Sequence, residues 1–170
     1  MHLDCGPCAV RSWRADDLDA LLRHADNPKV ADNLRDRFPH PYTRQAGEGW
    51  LKVALTMRPE TAFVIEHAGE LVGGIGVQLN QDVERVSAEV GYWLGEAVWG
   101  CGLATAALVA FSRFAFDEFA LTRLYALPFA RNAGSRRVLE KAGYHLVGIL
   151  RNSVIKHGEV LDQALYDLVR

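Results

Sequence analysis

A short turn between a strand pattern and a helix pattern carries the clearest chemical signal in this sequence. Gly100 and Gly102 lie in the segment WGCGLAT, shortly after the strand pattern SAEVGYWLG. Backbone N–H groups at the start of a helix have no partner within it and lie at the positive end of its dipole. Glycines remove the side chains that would cover these groups, so the turn predicts a phosphate or pyrophosphate site. The Gly-x-Gly spacing alone is a weak signal, because most such turns are only turns.

Other phosphate-binding loops do not fit this segment. A P-loop requires Gly-Lys-Ser or Gly-Lys-Thr at the helix start, and neither tripeptide occurs anywhere in the chain. A dinucleotide fingerprint requires a third glycine where Thr105 stands. The formal charge of −2 gives no general attraction to nucleic acid or to an anionic membrane. Any nucleotide must therefore be held by local chemistry.

Hydrophobic spacing indicates the elements that position this turn. Strand patterns occupy residues 9–13, 61–66, 71–80, 87–95, 122–128, 144–155 and 160–169. Helix patterns occupy residues 16–27, 29–34, 43–54, 102–119 and 133–142. Strands first follow one another and then alternate with helices. We therefore expect a single α/β domain over residues 1–170, with a mixed sheet of about seven strands covered by helices on both faces.

Several segments, in order, resemble the GNAT N-acetyltransferase superfamily. WGCGLA, from Trp99, is similar to the acyl-CoA pyrophosphate signature Q/R-x-x-G-x-G/A, with Trp99 in the Gln/Arg place. NAGSRRVLEKAGY, from Asn132, is similar to the N-x-x-S-x-x-x-L-E-K-x-G-F pattern of the branch that resembles ribosomal-protein N-terminal acetyltransferases. DNPKV and NLRDRFPHPYT look like the N-terminal segment of that branch. The resemblance implies a GNAT-like fold and acetyl transfer from acetyl-CoA to a primary amine.

The resemblance also implies which residues hold acetyl-CoA, the acyl donor. Its phosphates would bind the amides of residues 100–105, and its pantetheine arm would lie beside Trp93, Leu94 and Asn132. Asn132 equally suits a plain helix N-cap. The implied cofactor-binding residues are Trp93, Leu94, Trp99, Gly100, Cys101, Gly102, Leu103, Ala104, Thr105, Asn132 and Ser135. None of the six histidines has a metal-ligand spacing, so we expect no metal site.

Three residues are candidates for catalysis. Glu89, in the strand before the turn, resembles the general base of some superfamily members, although a structural ion pair with an Arg is the alternative. By the resemblance, the backbone N–H of Leu94 would stabilise the developing negative charge on the thioester oxygen. Many members protonate the CoA thiolate with a Tyr where this chain has Leu139, so Ser135 is the nearest substitute.

The acceptor is the part of the reaction that the sequence defines least. Arg35, Phe38, Tyr42 and Asp162 are expected to line the acceptor pocket by topology and resemblance. The amine could belong to a protein N-terminus or to a small molecule, and relatives are often homodimers. The N-terminus has no apolar run long enough for a signal peptide, so we expect a cytoplasmic protein that uses neither membrane nor nucleic acid.

Two alternative functions remain from the sequence. A non-catalytic acyl-CoA-binding module would keep the glycine turn but transfer nothing. A dithiol redox protein would use Cys5 and Cys8, which form the CGPC tetrapeptide of thioredoxin-like proteins. That chemistry requires the first Cys at a helix N-terminus after a buried strand, whereas only four residues precede Cys5. We therefore expect an irregular N-terminal lead-in whose Cys8 enters the first strand.

Overall fold

The computed structural model describes all of residues 1–170, in one sheet with helices on both faces. The strands are β1 (His2–Asp4), β2 (Ala9–Arg11), β3 (Ala62–His67), β4 (Glu70–Leu79), β5 (Ser87–Leu94), β6 (Arg123–Ala126), β7 (His145–Lys156) and β8 (Glu159–Val169). The helices are α1 (Leu18–Ala25), α2 (Pro28–Ala31), α3 (Arg44–Thr56), α4 (Leu103–Glu118) and α5 (Ala133–Lys141).

The strand order across the sheet is β1-β2-β3-β4-β5-β6-β8-β7. Every neighbouring pair is antiparallel except β5 with β6. A parallel pair needs a long crossover connection, and α4 supplies it between these two strands. The crossover places the start of α4 directly after the end of β5, which is where the glycine turn lies.

The sheet has eight strands, one more than the sequence patterns predicted. His2–Asp4 pairs with Ala9–Arg11, so Cys5 to Cys8 forms the turn of an N-terminal hairpin. The expected irregular lead-in is therefore wrong, because alternation over three residues is too short to indicate a strand by itself. No helix follows Cys5, so the pair lacks the helix N-terminus that thioredoxin-like chemistry requires.

The core consists of two apolar clusters, one on each face of the sheet. Consecutive residues of β3 point to opposite faces, and Phe63 packs against α4 while Val64 packs against the α1 and α3 side. Phe111 of α4 is fully buried in the first cluster, and Leu21 of α1 is buried in the second. The predicted two-faced arrangement is confirmed. None of the five helices combines the length and apolar character needed to cross a bilayer.

A buried ion cluster fixes the N-terminal hairpin to the sheet. Arg11 is 3% exposed, and its guanidinium donates to both carboxylate oxygens of Asp17 at 2.7 and 2.9 Å. It also donates to Glu66 on β3, and Asp17 accepts the N–H of Arg14 at 2.7 Å. Charges removed from water are tolerated when their hydrogen bonds are complete, as they are here.

Replacing the arginine should therefore destabilise the fold strongly. Arg11→Met leaves Asp17 without its cation and Glu66 with only the longer 3.6 Å contact to Arg14, and we expect the free energy of unfolding to fall by about 3 kcal/mol. Urea unfolding measures this change. Arg44→Met is the matched control, because Arg44 pairs with Asp19 at the solvent-exposed surface and should leave stability unchanged within error. Equal effects of the two substitutions would contradict the assignment.

Candidate active site

The glycine turn, residues 99–102, adopts the open geometry that an anion needs. Gly100 and Gly102 have φ values of 79° and 80°, in the left-handed region that favours glycine. Gly102 is the N-cap of α4, and no side chain caps this helix start. A Cβ built on either glycine would meet no heavy atom within 4 Å. The first amides of a 16-residue helix are therefore uncovered at the positive end of its dipole.

Two sets of contacts hold the turn in place. The indole N–H of Trp99 donates to the carbonyl of Leu94 at 2.8 Å, which ties the turn back to the end of β5. Glu96 accepts from the Asn27 amide at 2.8 Å and from Lys29, which ties the preceding segment to α2. These hydrogen bonds, Lys29 first, lower the pKa of Glu96. The Trp99 side chain therefore supports the turn.

Strand β5 loses its neighbour on one side just before the turn. β6 pairs with β5 only over Ser87 to Glu89, although β5 continues to Leu94. After β6 the chain bonds to β8 instead, since the N–H of Ala130 donates to the carbonyl of Asp162. The two parallel strands therefore diverge, and a gap opens beside the last residues of β5. This gap leads to the glycine turn.

The register decides which main-chain groups of β5 face the gap. The N–H of Gly95 donates to Val72 and that of Asn80 donates to Ser87, which fixes the alternation of the β4–β5 ladder. The N–H and C=O of Trp93 are therefore directed toward β4 and away from the gap. Those of Tyr92 and Leu94 are directed toward the opposite side of β5, where the gap lies. The Leu94 N–H thus faces the gap, as its predicted function requires.

The start of α5 meets β5 across the gap. Asn132 is the N-cap of α5, and its side-chain oxygen accepts the N–H of Ser135 at 3.0 Å. The hydroxyl of Ser135 lies 2.9 Å from the hydroxyl of Tyr92, which also donates to the Ser135 carbonyl at 3.1 Å. Burial raises the pKa of Tyr92, so its hydroxyl remains protonated near neutral pH. Tyr92 and Ser135 therefore form a hydroxyl pair beside the gap.

Tyr92 is the site residue that the sequence did not identify. Its side chain is half-buried and packs against the core on the α4 side of the sheet. One sequence signal could have identified Tyr92: this chain has Leu139, which is fully buried, where many superfamily members have a Tyr. A hydroxyl that is missing from α5 can be supplied by a neighbouring strand. Only the packing of α5 on β5 shows that Tyr92 is the residue in that position.

The opposite face of β5 carries Glu89. One carboxylate oxygen of Glu89 accepts a hydrogen bond from Arg35, and no hydrogen bond reaches the other oxygen. Phe38 stacks against Trp93 with ring centroids 5.3 Å apart. We call these four residues, Glu89, Arg35, Phe38 and Trp93, the Glu89 face. The structure brings together a carboxylate, a cation and two aromatic rings there.

The β7–β8 turn closes one side of the Glu89 face. Lys156 donates to Asp36 at 2.8 Å, and His157 contacts Asp32 at the same distance. These pairs join the hairpin tip to the segment that carries Arg35. Each aspartate uses one carboxylate oxygen in its pair, as Glu89 does with Arg35. The Glu89 side chain is only 19% exposed, whereas those of Asp36 and Asp32 are 80% and 51% exposed, so Glu89 is the partly buried carboxylate here.

Two of the four expected acceptor residues make no polar contact with Glu89 or Arg35. Tyr42 is 7% exposed and packs against Phe38 from the core side, where burial raises its pKa to about 12. The carboxylate of Asp162 accepts the N–H of Asn152 at 2.8 Å, within the β7–β8 pair. No hydrogen bond or ion pair joins either residue to Glu89 or Arg35.

The remaining turn residues have main-chain roles. The exposed thiol of Cys101 donates to the Trp99 carbonyl at 3.7 Å. Leu103 is 2% exposed and anchors the helix start in the core, while Ala104 and Thr105 are half-buried. No group of three or more His, Cys, Asp or Glu side chains is placed to hold a metal ion.

Comparison with known proteins agrees with this geometry. The family model described as the acetyltransferase (GNAT) domain matches residues 9–145. The Bacillus subtilis (strain 168) protein named "Putative ribosomal N-acetyltransferase YdaF" is 29% identical over 154 residues, which are 90% of this chain and 78% of that protein.

Solved structures show the same similarity. Mycobacterium smegmatis RimJ in complex with CoA-disulfide aligns with a TM-score of 0.83 at 28% identity, over 97% of this chain and 83% of that one. The ribosomal-protein-S5-alanine acetyltransferase from Vibrio fischeri aligns with a TM-score of 0.81 at 19% identity, over 99% and 96% of the two chains, and shares the fold.

The glycine turn gives a test of anion binding. Gly102→Ala places a Cβ before the open amides, and we expect the dissociation constant for coenzyme A to rise about tenfold, the loss of one charge-assisted hydrogen bond. The left-handed backbone should also cost about 1 kcal/mol of unfolding free energy. Isothermal titration calorimetry and urea unfolding measure the two effects.

Gly158→Ala is the matched control for the backbone strain. Gly158 has a φ of 79° in the β7–β8 turn, and a Cβ there meets no atom within 4 Å. It should lose similar stability yet bind coenzyme A normally. If both variants bound equally well, the glycine turn would not be the phosphate site.

Proposed function

Because the chain belongs to the GNAT acetyltransferase family, and is thus an acetyl-CoA-dependent N-acetyltransferase, we propose that its acceptor is a protein N-terminal α-amine. The observation that carries this proposal is that Glu89, the unpaired end of β5 and the glycine turn follow one another along one stretch of chain. The relative named as a ribosomal N-acetyltransferase supports a protein acceptor.

The donor side of the site fits the parts of coenzyme A. The open amides at Gly102 and the start of α4 suit a pyrophosphate, which accepts several N–H bonds at once. The unpaired edge of β5 at Tyr92 and Leu94 suits the amide groups of a pantetheine arm, which can replace a missing strand. When bound, the cofactor supplies an acetyl thioester that an uncharged amine can attack directly.

The Leu94 amide has the position needed to stabilise charge during this attack. Its N–H faces the gap, while its carbonyl is held by the Trp99 indole at 2.8 Å. A fixed donor of this kind stabilises negative charge that develops on a thioester oxygen without reorganising during the reaction. We assign this function to the Leu94 backbone, so a side-chain substitution there would leave the donor in place.

Glu89 is the group proposed to take the amine proton. One of its carboxylate oxygens accepts no hydrogen bond, and its side chain is 19% exposed, whereas those of Asp36 and Asp32 are 80% and 51% exposed. An α-amine has a pKa near about 8, whereas a lysine amine has a pKa near about 10.4. A single carboxylate base suits the α-amine, because neutralising an amine costs roughly 1.4 kcal/mol per pKa unit above ambient pH.

Acceptor choice and the base can be tested together. We expect CoA release with peptides that carry free N-terminal Ala, Ser or Met, and none with the same peptides after N-terminal blocking, even when they contain Lys. Glu89→Gln should lower kcat/KM about tenfold one pH unit below the pKa of the amine. The defect should vanish as pH rises above that pKa, because the acceptor is then already neutral.

Glu118→Gln provides the control, since Glu118 is exposed at the end of α4 and forms no ion pair. It should follow the wild-type pH profile. A Glu89→Gln profile parallel to wild type at every pH would remove the base assignment. Equal rates with blocked lysine peptides, or with polyamines alone, would overturn the proposed acceptor.

The Tyr92–Ser135 pair is the proposed proton source for the departing sulfur. Ser135 is fixed by Asn132 at its N–H and by Tyr92 at its hydroxyl and carbonyl. The Tyr92 hydroxyl, whose pKa burial raises, holds a proton that Ser135 can pass toward the gap. This assignment replaces the tyrosine that many superfamily members carry where this chain has Leu139.

Removing the tyrosine hydroxyl should affect the chemical step. We expect Tyr92→Phe to lower kcat at least about tenfold, with the KM for acetyl-CoA little changed. Ser135→Ala should act similarly, and the double variant should be no worse than the stronger single one, because both remove one relay. Steady-state kinetics with a fixed peptide acceptor measures these values.

Tyr144→Phe is the control for loss of a buried hydroxyl. Burial raises the pKa of Tyr144 as it does for Tyr92, and its hydroxyl lies 2.8 Å from Ser112 inside the core. The variant should lose stability but keep kcat. An equal fall of kcat in both tyrosine variants would indicate a structural effect and contradict the relay.

A further inference from the structure

The N-terminal hairpin places two cysteines opposite each other. Asp4 pairs with Ala9, so the next pair toward the turn is Cys5 with Cys8. The Cys5 N–H donates to the Cys8 carbonyl at 2.9 Å, and Gly6 closes the turn with a φ of 82°. Hydrogen-bonded antiparallel pairs have Cα atoms about 5.5 Å apart, within the range of about 4.4–6.8 Å that a disulfide spans.

The two thiols lie in different surroundings. Cys8 is buried, and its Sγ donates to the carbonyl of Leu103 at 3.6 Å. Cys5 is half-buried and lines a surface groove of 530 Å³ that also contains Gly102, Arg113 and Lys141. Cys8 is not among the residues that line this groove. The pair thus has one accessible and one shielded thiol.

The interaction between the thiols makes the accessible one the better nucleophile. Contact with the Cys8 thiol lowers the pKa of Cys5, which outweighs the opposing effects of burial and of the Asp4 carboxylate. The same contact and burial raise the pKa of Cys8. Because the thiolate is the attacking species, exchange should begin at Cys5.

Leu103 links this pair to the donor site. It is the first residue of α4 and follows Gly102 directly, and its carbonyl accepts the Cys8 thiol. A disulfide would remove that thiol hydrogen and draw the Cys8 sulfur toward Cys5. The hydrogen bond from the Cys8 thiol to the Leu103 carbonyl, which supports the start of α4, would then be lost.

We propose that Cys5 and Cys8 are a reversible thiol–disulfide site, and that the disulfide weakens acetyl-CoA binding by displacing the start of α4. The oxidant is a low-molecular-weight disulfide. The Cys5 thiolate attacks one of its sulfurs and releases one thiolate. The Cys8 thiol then gives up its proton and attacks the Cys5 sulfur of the mixed disulfide, releasing the second thiolate. The protein dithiol loses two electrons and two protons, and the small disulfide becomes two thiols.

Formation of the bond can be tested without any assumption about the donor. The protein carrying Cys101→Ser is treated with glutathione disulfide, and intact-mass and peptide analysis follow its thiols. We expect the loss of two hydrogens with a Cys5–Cys8 crosslink, which dithiothreitol reverses. Cys5→Ser and Cys8→Ala in the same background should form no crosslink. A folded protein that keeps both thiols, or stops at a stable glutathione adduct on Cys5, would overturn the site.

The coupling rests on the proposed donor site and has its own readout. Calorimetry on the reduced and oxidised Cys101→Ser protein should show acetyl-CoA bound about fivefold more weakly after oxidation. Because such coupling is reciprocal, saturating acetyl-CoA should shift the glutathione equilibrium toward the dithiol by the same factor. The Cys5→Ser protein should be insensitive to glutathione disulfide.

The outcomes separate the two claims. Equal acetyl-CoA affinity of the reduced and oxidised forms would overturn the coupling, although the crosslink would stand. Absence of acetyl-CoA binding in both forms, and also in the protein with Cys101 intact, would overturn the donor site and the coupling together, again independently of the crosslink. The modification site and the transferase proposal can therefore fail separately.

Discussion

The unpaired edge of β5 beyond Glu89 is the constraint on which the rest of the structure depends. β6 pairs with β5 only as far as Glu89, and the chain that follows β6 bonds to β8, so main-chain groups of β5 beyond Glu89 have no strand partner on that side. A buried N–H or C=O without a partner costs about 1–3 kcal/mol. Trp99 satisfies the Leu94 carbonyl, whereas the Leu94 amide and the peptide groups of Tyr92 face the gap. A ligand with its own amides can take the place of the missing strand.

The two sides of the gap have different chemistry because residues alternate along β5. Tyr92 points to the α4 and α5 side, where the buried hydroxyl pair with Ser135 lies. Glu89 and Trp93 point to the other side, where the segment after α2 and the β7–β8 turn form a charged wall. One strand thus separates the hydroxyl pair that we propose as the proton donor from the carboxylate that we propose as the proton acceptor.

Most of the fold follows from patterns in the sequence, and the exceptions have clear reasons. The strand–turn–helix order predicted a helix over residues 102–119, and α4 runs from Leu103 to Glu118 with Gly102 as its N-cap. β1 was missed because three residues carry too little alternation. α2 ends at Ala31, earlier than the pattern indicated, because Asp32 to Leu34 form turns. Its beginning is fixed by Asn27 and Pro28. Tyr42 could not be separated from the pocket residues by type, because aromatic rings serve both cores and pockets.

By itself the sequence determined the family, the sheet with helices on both faces and the glycine turn, because these depend on local conformation and on periodic burial. Only the tertiary structure decided which groups meet: Arg35 with Glu89, Tyr92 with Ser135, and Cys8 with Leu103. Each of these contacts joins residues that are 43 to 95 positions apart in the chain. The chemistry of a side chain is a local property, but its contact partner depends on where strands diverge and how helices pack. The spacing of residues in the sequence does not contain that information.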